Sequence, residues 1–314
     1  MAKKAPEYLL FHCPQMRSLA RKITKANPAF VRGDCQWRLF PDRFPNINFG
    51  KHPLFKRGEV VFLASFDSPA DAFVQICAIY TLARLSGSLT VVLPFFATGF
   101  MERFGVGNEG QLVTAKTTAM MLSATPSCLR GPVRFIIYDI HALQLFNYFD
   151  GVVVRLKTGL KYLAPLLAQL EKVSICFPDE GARKRFEGMP DKYGLERLPI
   201  IECRKRRRTS GNHAVKIGSG RVRGRHVVII DDAILGGGTM LSCKDALVSA
   251  GAAKVSVFVT HGRFACCSWK RFLRAGFHKI WITDSCPKTA SIVAKKRPFE
   301  VISLAGSIIR AIAE

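Results

Sequence analysis

With 314 residues, of which 48% are apolar, the chain can bury two ordinary cores, so two domains of roughly 150 residues are expected. Its formal charge of +24 points toward anionic partners, whether nucleic acid, acidic lipid or polyanionic small molecules. No membrane span is expected, because the longest apolar stretch, residues 89–101, is short and broken by Pro94, and the start lacks the apolar core of a secretory signal.

Strand-like apolar runs recur at residues 60–64, 89–95, 133–138, 173–177, 227–230, 255–259 and 279–282. Helical patterns intervene at 70–85, 116–122, 159–170, 241–249 and 269–274. Such alternation predicts an α/β protein with mostly parallel sheets and helices on both faces. Acids follow three of the strands, at Asp139, at Asp179 and at Asp231–Asp232. The repetition predicts two related α/β halves, 1–152 and 153–306. The ten cysteines include no Cys-x-x-Cys pair, and only Cys266 and Cys267 adjoin. They read as reduced, mostly buried thiols of an intracellular protein, with neither a disulfide frame nor a zinc site.

Several segments carry chemistry. In Phe40-Pro-Asp42 the aromatic ring belongs to a core unless an adenine stacks on it. Asp139-Ile-His141 projects a carboxylate and an imidazole to one side when extended, a pair suited to a divalent ion, a polyphosphate or a simple structural contact. Pro178-Asp179-Glu-Gly181 places an acid and a glycine at the mouth of a helix, followed by the cations Arg183, Lys184 and Arg185. From Arg204 to Arg225 there are nine lysines and arginines and no acid, with glycines and serines and no apolar period. A loop that long in a compact domain is a disordered segment or an active-site lid, and a positive lid over phosphates makes physical sense.

The most informative stretch runs from Val227 to Met240. Four β-branched residues make a buried strand, Asp231 and Asp232 stand at its end, and Gly236, Gly237 and Gly238 lead to Thr239, where a helix opens. Ligands of open α/β sheets bind at the carboxyl ends of strands. Adjacent carboxylates accept hydrogen bonds from a pair of sugar hydroxyls, while glycines let backbone amides approach a phosphate. A sugar phosphate satisfies both.

This stretch resembles the 5-phosphoribosyl diphosphate signature of the phosphoribosyltransferase fold. With Phe40-Pro-Asp42, Asp139-Ile-His141-Ala-Leu-Gln144, Pro178-Asp179-Glu-Gly181, the basic stretch at Lys205 and Thr260-His261-Gly262, essentially the whole chain resembles the ribose-phosphate pyrophosphokinases. Leu93-Pro-Phe-Phe96, Ser268-Trp-Lys-Arg-Phe272 and Trp281-Ile-Thr-Asp-Ser-Cys-Pro287 carry the likeness to the class II, plant-type members. The resemblance implies two phosphoribosyltransferase-type, Rossmann-like domains related by a pseudo-twofold axis, with residues 307–314 returning to the first. It implies transfer of the β,γ-diphosphoryl group of ATP to O1 of ribose 5-phosphate, with Mg²⁺, for nucleotide biosynthesis.

Residue by residue, Asp231, Asp232, Gly236, Gly237, Gly238 and Thr239 would hold ribose 5-phosphate, with Asp179 beside its ring. His141, Asp139 and Asp179 would serve the metal. Phe40, Asp42, Arg103 and His141 would meet ATP, the first two across a subunit boundary. Lys205 and Arg207 match the Lys-x-Arg that opens the family's mobile catalytic loop. A cytoplasmic homo-oligomer that binds no nucleic acid and no membrane is expected.

There are departures. Phe100 and Met101 stand where class I enzymes carry an Arg-Gln pair for ATP, Arg43 and Phe44 replace a Gly-Glu pair, and Leu235-Gly236 replaces a polar pair in the phosphate loop. Class II members are implied to dispense with phosphate activation and ADP allostery. Two other readings stand beside this one, a catalytically weak regulatory relative and a phosphoribosyltransferase. Charge alone would also suit a nucleic-acid binder, but no recognition motif accompanies it.

Overall fold

The computed structural model describes residues 7–102, 110–186, 188, 192–195, 197–207 and 213–314. Two compact units emerge, one of residues 1–157 with 303–314, the other of residues 158–302. The division falls after the strand Val153–Lys157, not at 152/153, because that strand pairs in parallel with Arg134–Tyr138 and closes the first sheet. The return to the first unit likewise begins at Ser303, ahead of residue 307.

The first unit is built on strands β1 (Tyr8–His12), β2 (Phe30–Arg32), β3 (Gln36–Leu39), β4 (Pro45–Asn48), β5 (Glu59–Leu63), β6 (Leu89–Val92), β7 (Arg134–Tyr138) and β8 (Val153–Lys157). Six of them form an all-parallel sheet in the order β2-β1-β5-β6-β7-β8, while β3 and β4 make a separate antiparallel hairpin. Parallel strands need covered faces, hence their continuous apolar runs, of which Val60–Leu63 is wholly buried. The helix Pro69–Leu85 starts where the sequence places it: Ser68 caps it by accepting from the Asp71 amide at 3.1 Å, and Pro69 occupies the first position. At the other end of the chain, the helix Ala305–Ala313 packs on the helix Arg17–Ala26. There the buried hydroxyls of Tyr138 and Ser307 share a hydrogen bond of 2.7 Å.

The second unit holds β9 (Val173–Phe177), β10 (Ile200–Arg207), β11 (His213–Ser219), β12 (His226–Ile234), β13 (Lys254–Gly262), β14 (Ile280–Thr283) and β15 (Phe299–Ile302). They form one sheet, ordered β11-β10-β9-β12-β13-β14-β15, parallel except for the β10–β11 pair. Side chains alternate between two buried faces: Val227, Ile229 and Val257 pack on one side, Val228, Ile230 and Phe258 on the other. Each large apolar side chain so buried contributes about 1.5–3 kcal/mol.

The basic run is not a structureless loop. Its first residues extend β10, and it returns as β11, with Lys205 opposite Val215 and Arg207 opposite His213. Residues 208–212 lie outside the described ones. The hairpin escapes composition because β10 alternates core residues, Ile201 and Cys203, with charged ones in a stretch where cations mask the period. The acid pair, too, lies within its strand: β12 continues past Asp231 and Asp232 to Ile234, paired with β13 on either side of Asp232.

Candidate functional site

In the second sheet the chain order reverses between β9 and β12. After β9 the chain adds β10 on one side, and later lays β12 on the other. A crevice at such a switch point, beyond the carboxyl ends of the strands, is where open α/β folds bind ligands. Asp179 follows β9 there, Asp231 and Asp232 lie on β12, and the glycine loop follows at once.

Asp179 has a local task. Its carboxylate accepts from the amide of Ala182 at 2.9 Å, capping the helix Glu180–Phe186. That helix delivers Arg185, whose guanidinium forms an ion pair with Asp232 and lies 3.8 Å from Asp231. Asp232 is buried, and the side chains of Arg185 and Asp231 are nearly so. Burial holds the Asp231 carboxyl well above the usual carboxylate range, and the charges of Asp232 and Asp179 push it further in that direction. Three acids therefore crowd one end of the sheet. In the sequence Arg185 is one of several cations at a helix mouth, and no local signal sets it apart from Arg183 and Lys184.

The three glycines of the loop have different roles. Gly237 is buried at φ 80°, a left-handed conformation, and a Cβ there would lie 2.5 Å from the ring of Phe272. Gly236 and Gly238 are exposed, with nothing within 4 Å of a built Cβ. Their backbone is open to a ligand, and the helix Gly238–Ser249 begins there with no side-chain cap on its first amides. Thr239 sits in its first turn, half-buried. The loop is braced from outside: Ser268 Oγ donates to the Leu235 carbonyl at 2.8 Å, and Arg271 donates to the Gly236 carbonyl at 3.3 Å. These bracing residues were legible only as part of a resemblance, because their partners lie more than thirty positions away.

Lys205 and Arg207 occupy the outer end of β10, in the same unit as the acids and the glycine loop. The remaining predicted residues belong to the first unit. Asp139 is buried at the end of β7 with φ 33°, and its amide donates to the Lys157 carbonyl. A left-handed backbone at a residue other than glycine is strained, and such strain gathers at functional sites. The His141 ring lies against Phe100, centroids 4.3 Å apart. Phe100, one of the departures, thus supplies an apolar wall beside the imidazole.

Phe40 and Asp42 stand in the tight turn joining β3 to β4, where Asp42 accepts from the Phe44 amide at 3.1 Å. Leu39, Phe40 and Phe44 are at least half exposed, so this turn presents aromatic and apolar surface outward rather than to a core. Arg103 lies outside the described residues.

Comparison with known proteins bears on the whole chain. Residues 135–272 match the phosphoribosyl transferase domain family. The chain is 44% identical to ribose-phosphate pyrophosphokinase 4 of Arabidopsis thaliana, across 96% of its own length and 91% of the relative's. It is 42% identical to the chloroplastic ribose-phosphate pyrophosphokinase 3 of Oryza sativa subsp. japonica, covering 97% of this chain and 75% of that one. In fold it is similar to the phosphoribosylpyrophosphate synthetase of Mycobacterium smegmatis, with a TM-score of 0.82 over 98% of both chains at 22% identity. An α/β protein with mainly parallel sheets, it belongs to the ribose-phosphate pyrophosphokinase family.

Proposed function

We propose that the protein is a ribose-phosphate diphosphokinase. It moves the β,γ-diphosphoryl group of ATP to O1 of ribose 5-phosphate and releases AMP. The observation that carries this reading is the end of the second sheet: paired acids for ribose hydroxyls stand beside a glycine loop and helix start open to a phosphate. Asp231 and Asp232 hold the sugar hydroxyls, residues 236–239 cradle the 5-phosphate, and Asp179 stands beside the ring. Arg185 keeps the acid pair in place and offsets part of its charge.

The chemistry asks little covalent help of the protein. It needs in-line alignment and cations where charge develops on the transferred phosphoryl oxygens. Lys205 and Arg207, on a hairpin in the unit that carries the acids and the glycine loop, supply those cations. They act most strongly once water is excluded. His141, Phe40 and Asp42 serve ATP, the two latter from the exposed turn that suits a site shared with a neighbouring subunit; Arg103 joins them in the same proposal.

The donor set fits Mg²⁺, a hard cation that takes oxygen ligands. Asp139 offers a carboxylate in the first unit, with His141 nearby in sequence, and Asp179 offers one in the second. When bound, Mg²⁺ neutralises the polyphosphate and polarises the transferred group. Among the described residues no helix is long and apolar enough to cross a membrane. We propose a homo-oligomer acting in the cytoplasm. The direct test is AMP formation from ATP and Mg²⁺ with and without ribose 5-phosphate. Intact protein that forms no ribose-5-phosphate-dependent AMP would favour the regulatory relative.

A further inference from the structure

Three cysteines distant in sequence meet inside the second unit. Cys176 lies on β9, Cys203 on β10 and Cys243 on the helix Gly238–Ser249. Their sulfurs stand 3.5 Å apart (Cys176–Cys203), 3.7 Å (Cys176–Cys243) and 3.8 Å (Cys203–Cys243). All three are buried, among Ile201, Val227, Ile229 and Met240. A single buried cysteine is an ordinary small core residue. Three sulfurs converging from three elements are not explained by filling space, which aliphatic side chains do as well.

The triangle has the dimensions of a ligand set. Sulfurs that share a tetrahedral ion at about 2.3 Å lie about 3.8 Å from one another. Metals bind cysteine as the thiolate, so occupation of such a triangle releases the thiol protons.

We propose that Cys176, Cys203 and Cys243 form a binding site for a soft, thiophilic divalent cation of the zinc and cadmium class. Three metal–sulfur bonds form, the three S–H protons leave to solvent, and the fourth vertex takes water or a solute thiol. No fourth cysteine, histidine or carboxylate joins the group among the described residues. Each ligand sits close in sequence to the proposed catalytic site: Cys176 three residues before Asp179, Cys203 two before Lys205, Cys243 four after Thr239. A bound ion would tie these three elements together behind the phosphate loop.

The test uses reduced, metal-stripped full-length protein carrying Cys266→Ser and Cys267→Ser, which removes the two exposed thiols. Equilibration with Cd²⁺ alone should take up one ion per chain, give sulfur-to-cadmium charge-transfer absorption in the near ultraviolet, and raise Tm. Zn²⁺ should displace the Cd²⁺, and Mg²⁺ should do none of this. Loss of an outer-shell partner lowers metal affinity about 10- to 100-fold, so Cys243→Ser, which removes a ligand, should cost about a hundredfold or more. Cys286→Ser, buried but outside the triangle, should change nothing. Should Cys243→Ser fail to fold, X-ray absorption on the Zn²⁺-loaded parent should count three sulfur neighbours. Failure to take up Cd²⁺, uptake indifferent to Cys243→Ser, or fewer than three sulfurs around zinc would each overturn the site.

Discussion

Replacing Gly237 by alanine should separate the two tasks of the glycine loop. The residue sits at φ 80°, where an L side chain costs roughly 1–2 kcal/mol. Its new Cβ would also fall 2.5 and 2.6 Å from two ring carbons of Phe272, which is wholly buried and stacked on Phe277. Since the ring cannot swing into solvent, the core must be overpacked, at a further 1–3 kcal/mol or so. Together these give about 2–5 kcal/mol, a large share of the 5–15 kcal/mol or so that holds a typical domain together. For a unit of this size the fall in Tm should be on the order of 10 °C. Gly236→Ala and Gly238→Ala meet no atoms within 4 Å and should leave stability within about 0.5 kcal/mol of the parent. They should instead raise KM for ribose 5-phosphate, because on the proposed reading each methyl would stand where the phosphate approaches the backbone. Urea unfolding and substrate titration on the three variants decide the matter. Equal stability losses at all three positions, or a harmless Gly237→Ala, would refute the assignment.

Four further outcomes are expected. Arg185→Ala removes a nearly buried partner of Asp232 and should destabilise by about 3–5 kcal/mol, with partial recovery on adding Asp232→Asn; urea midpoints without such recovery would reject the pairing. Asp231 has a folded pKa above its unfolded value, so its stabilising contribution is complete below about pH 4 and is lost as pH rises through the folded value. Asp231→Asn should therefore raise Tm at neutral pH while weakening ribose 5-phosphate more than ATP, and a Tm below the parent's at pH 7 would contradict this. Lys205→Ala and Arg207→Ala should each lower kcat with the fold intact, by about 3–4 kcal/mol or roughly a hundred- to a thousandfold; unchanged kcat with higher KM would move them to substrate binding. Finally, exposed Phe44 and the Phe100–His141 contact offer stacking surface in place of directed hydrogen bonds. Activity without added phosphate, purely competitive inhibition by ADP and turnover with GTP or CTP should follow, since aromatic faces discriminate weakly between bases. Strict phosphate dependence, with ADP inhibition that saturating ATP cannot relieve, would count against the class II likeness.

Much of the scaffold is legible in one dimension because parallel strands buried on both faces must be continuously apolar. Runs such as Val173–Phe177 announce themselves, and the helix Pro69–Leu85 is marked by its serine cap and proline. The phosphate loop is legible for a related reason: a strand, acids, glycines and a helix start lie consecutively, so their chemistry needs no distant partner. Elements that depend on a neighbour were not. The short β2 and β15 exist because their ladder partners do, and β8 joins the first unit only through β7. The basic hairpin hid its period of two beneath a run of arginines.

What the sequence by itself determined is therefore local: the long apolar strands, the acids that accompany them, the glycine loop, and through them the family. The tertiary structure alone decided which glycine packs against the core and which two stay open, because that depends on where Phe272 packs. It chose Arg185 from three neighbouring cations by bringing one helix over β12. It also gathered Cys176, Cys203 and Cys243, separated by 27 and 40 residues, into one triangle of sulfurs. Contacts between elements follow from how ladders register and helices dock, and no spacing along the chain encodes a distance set by that packing.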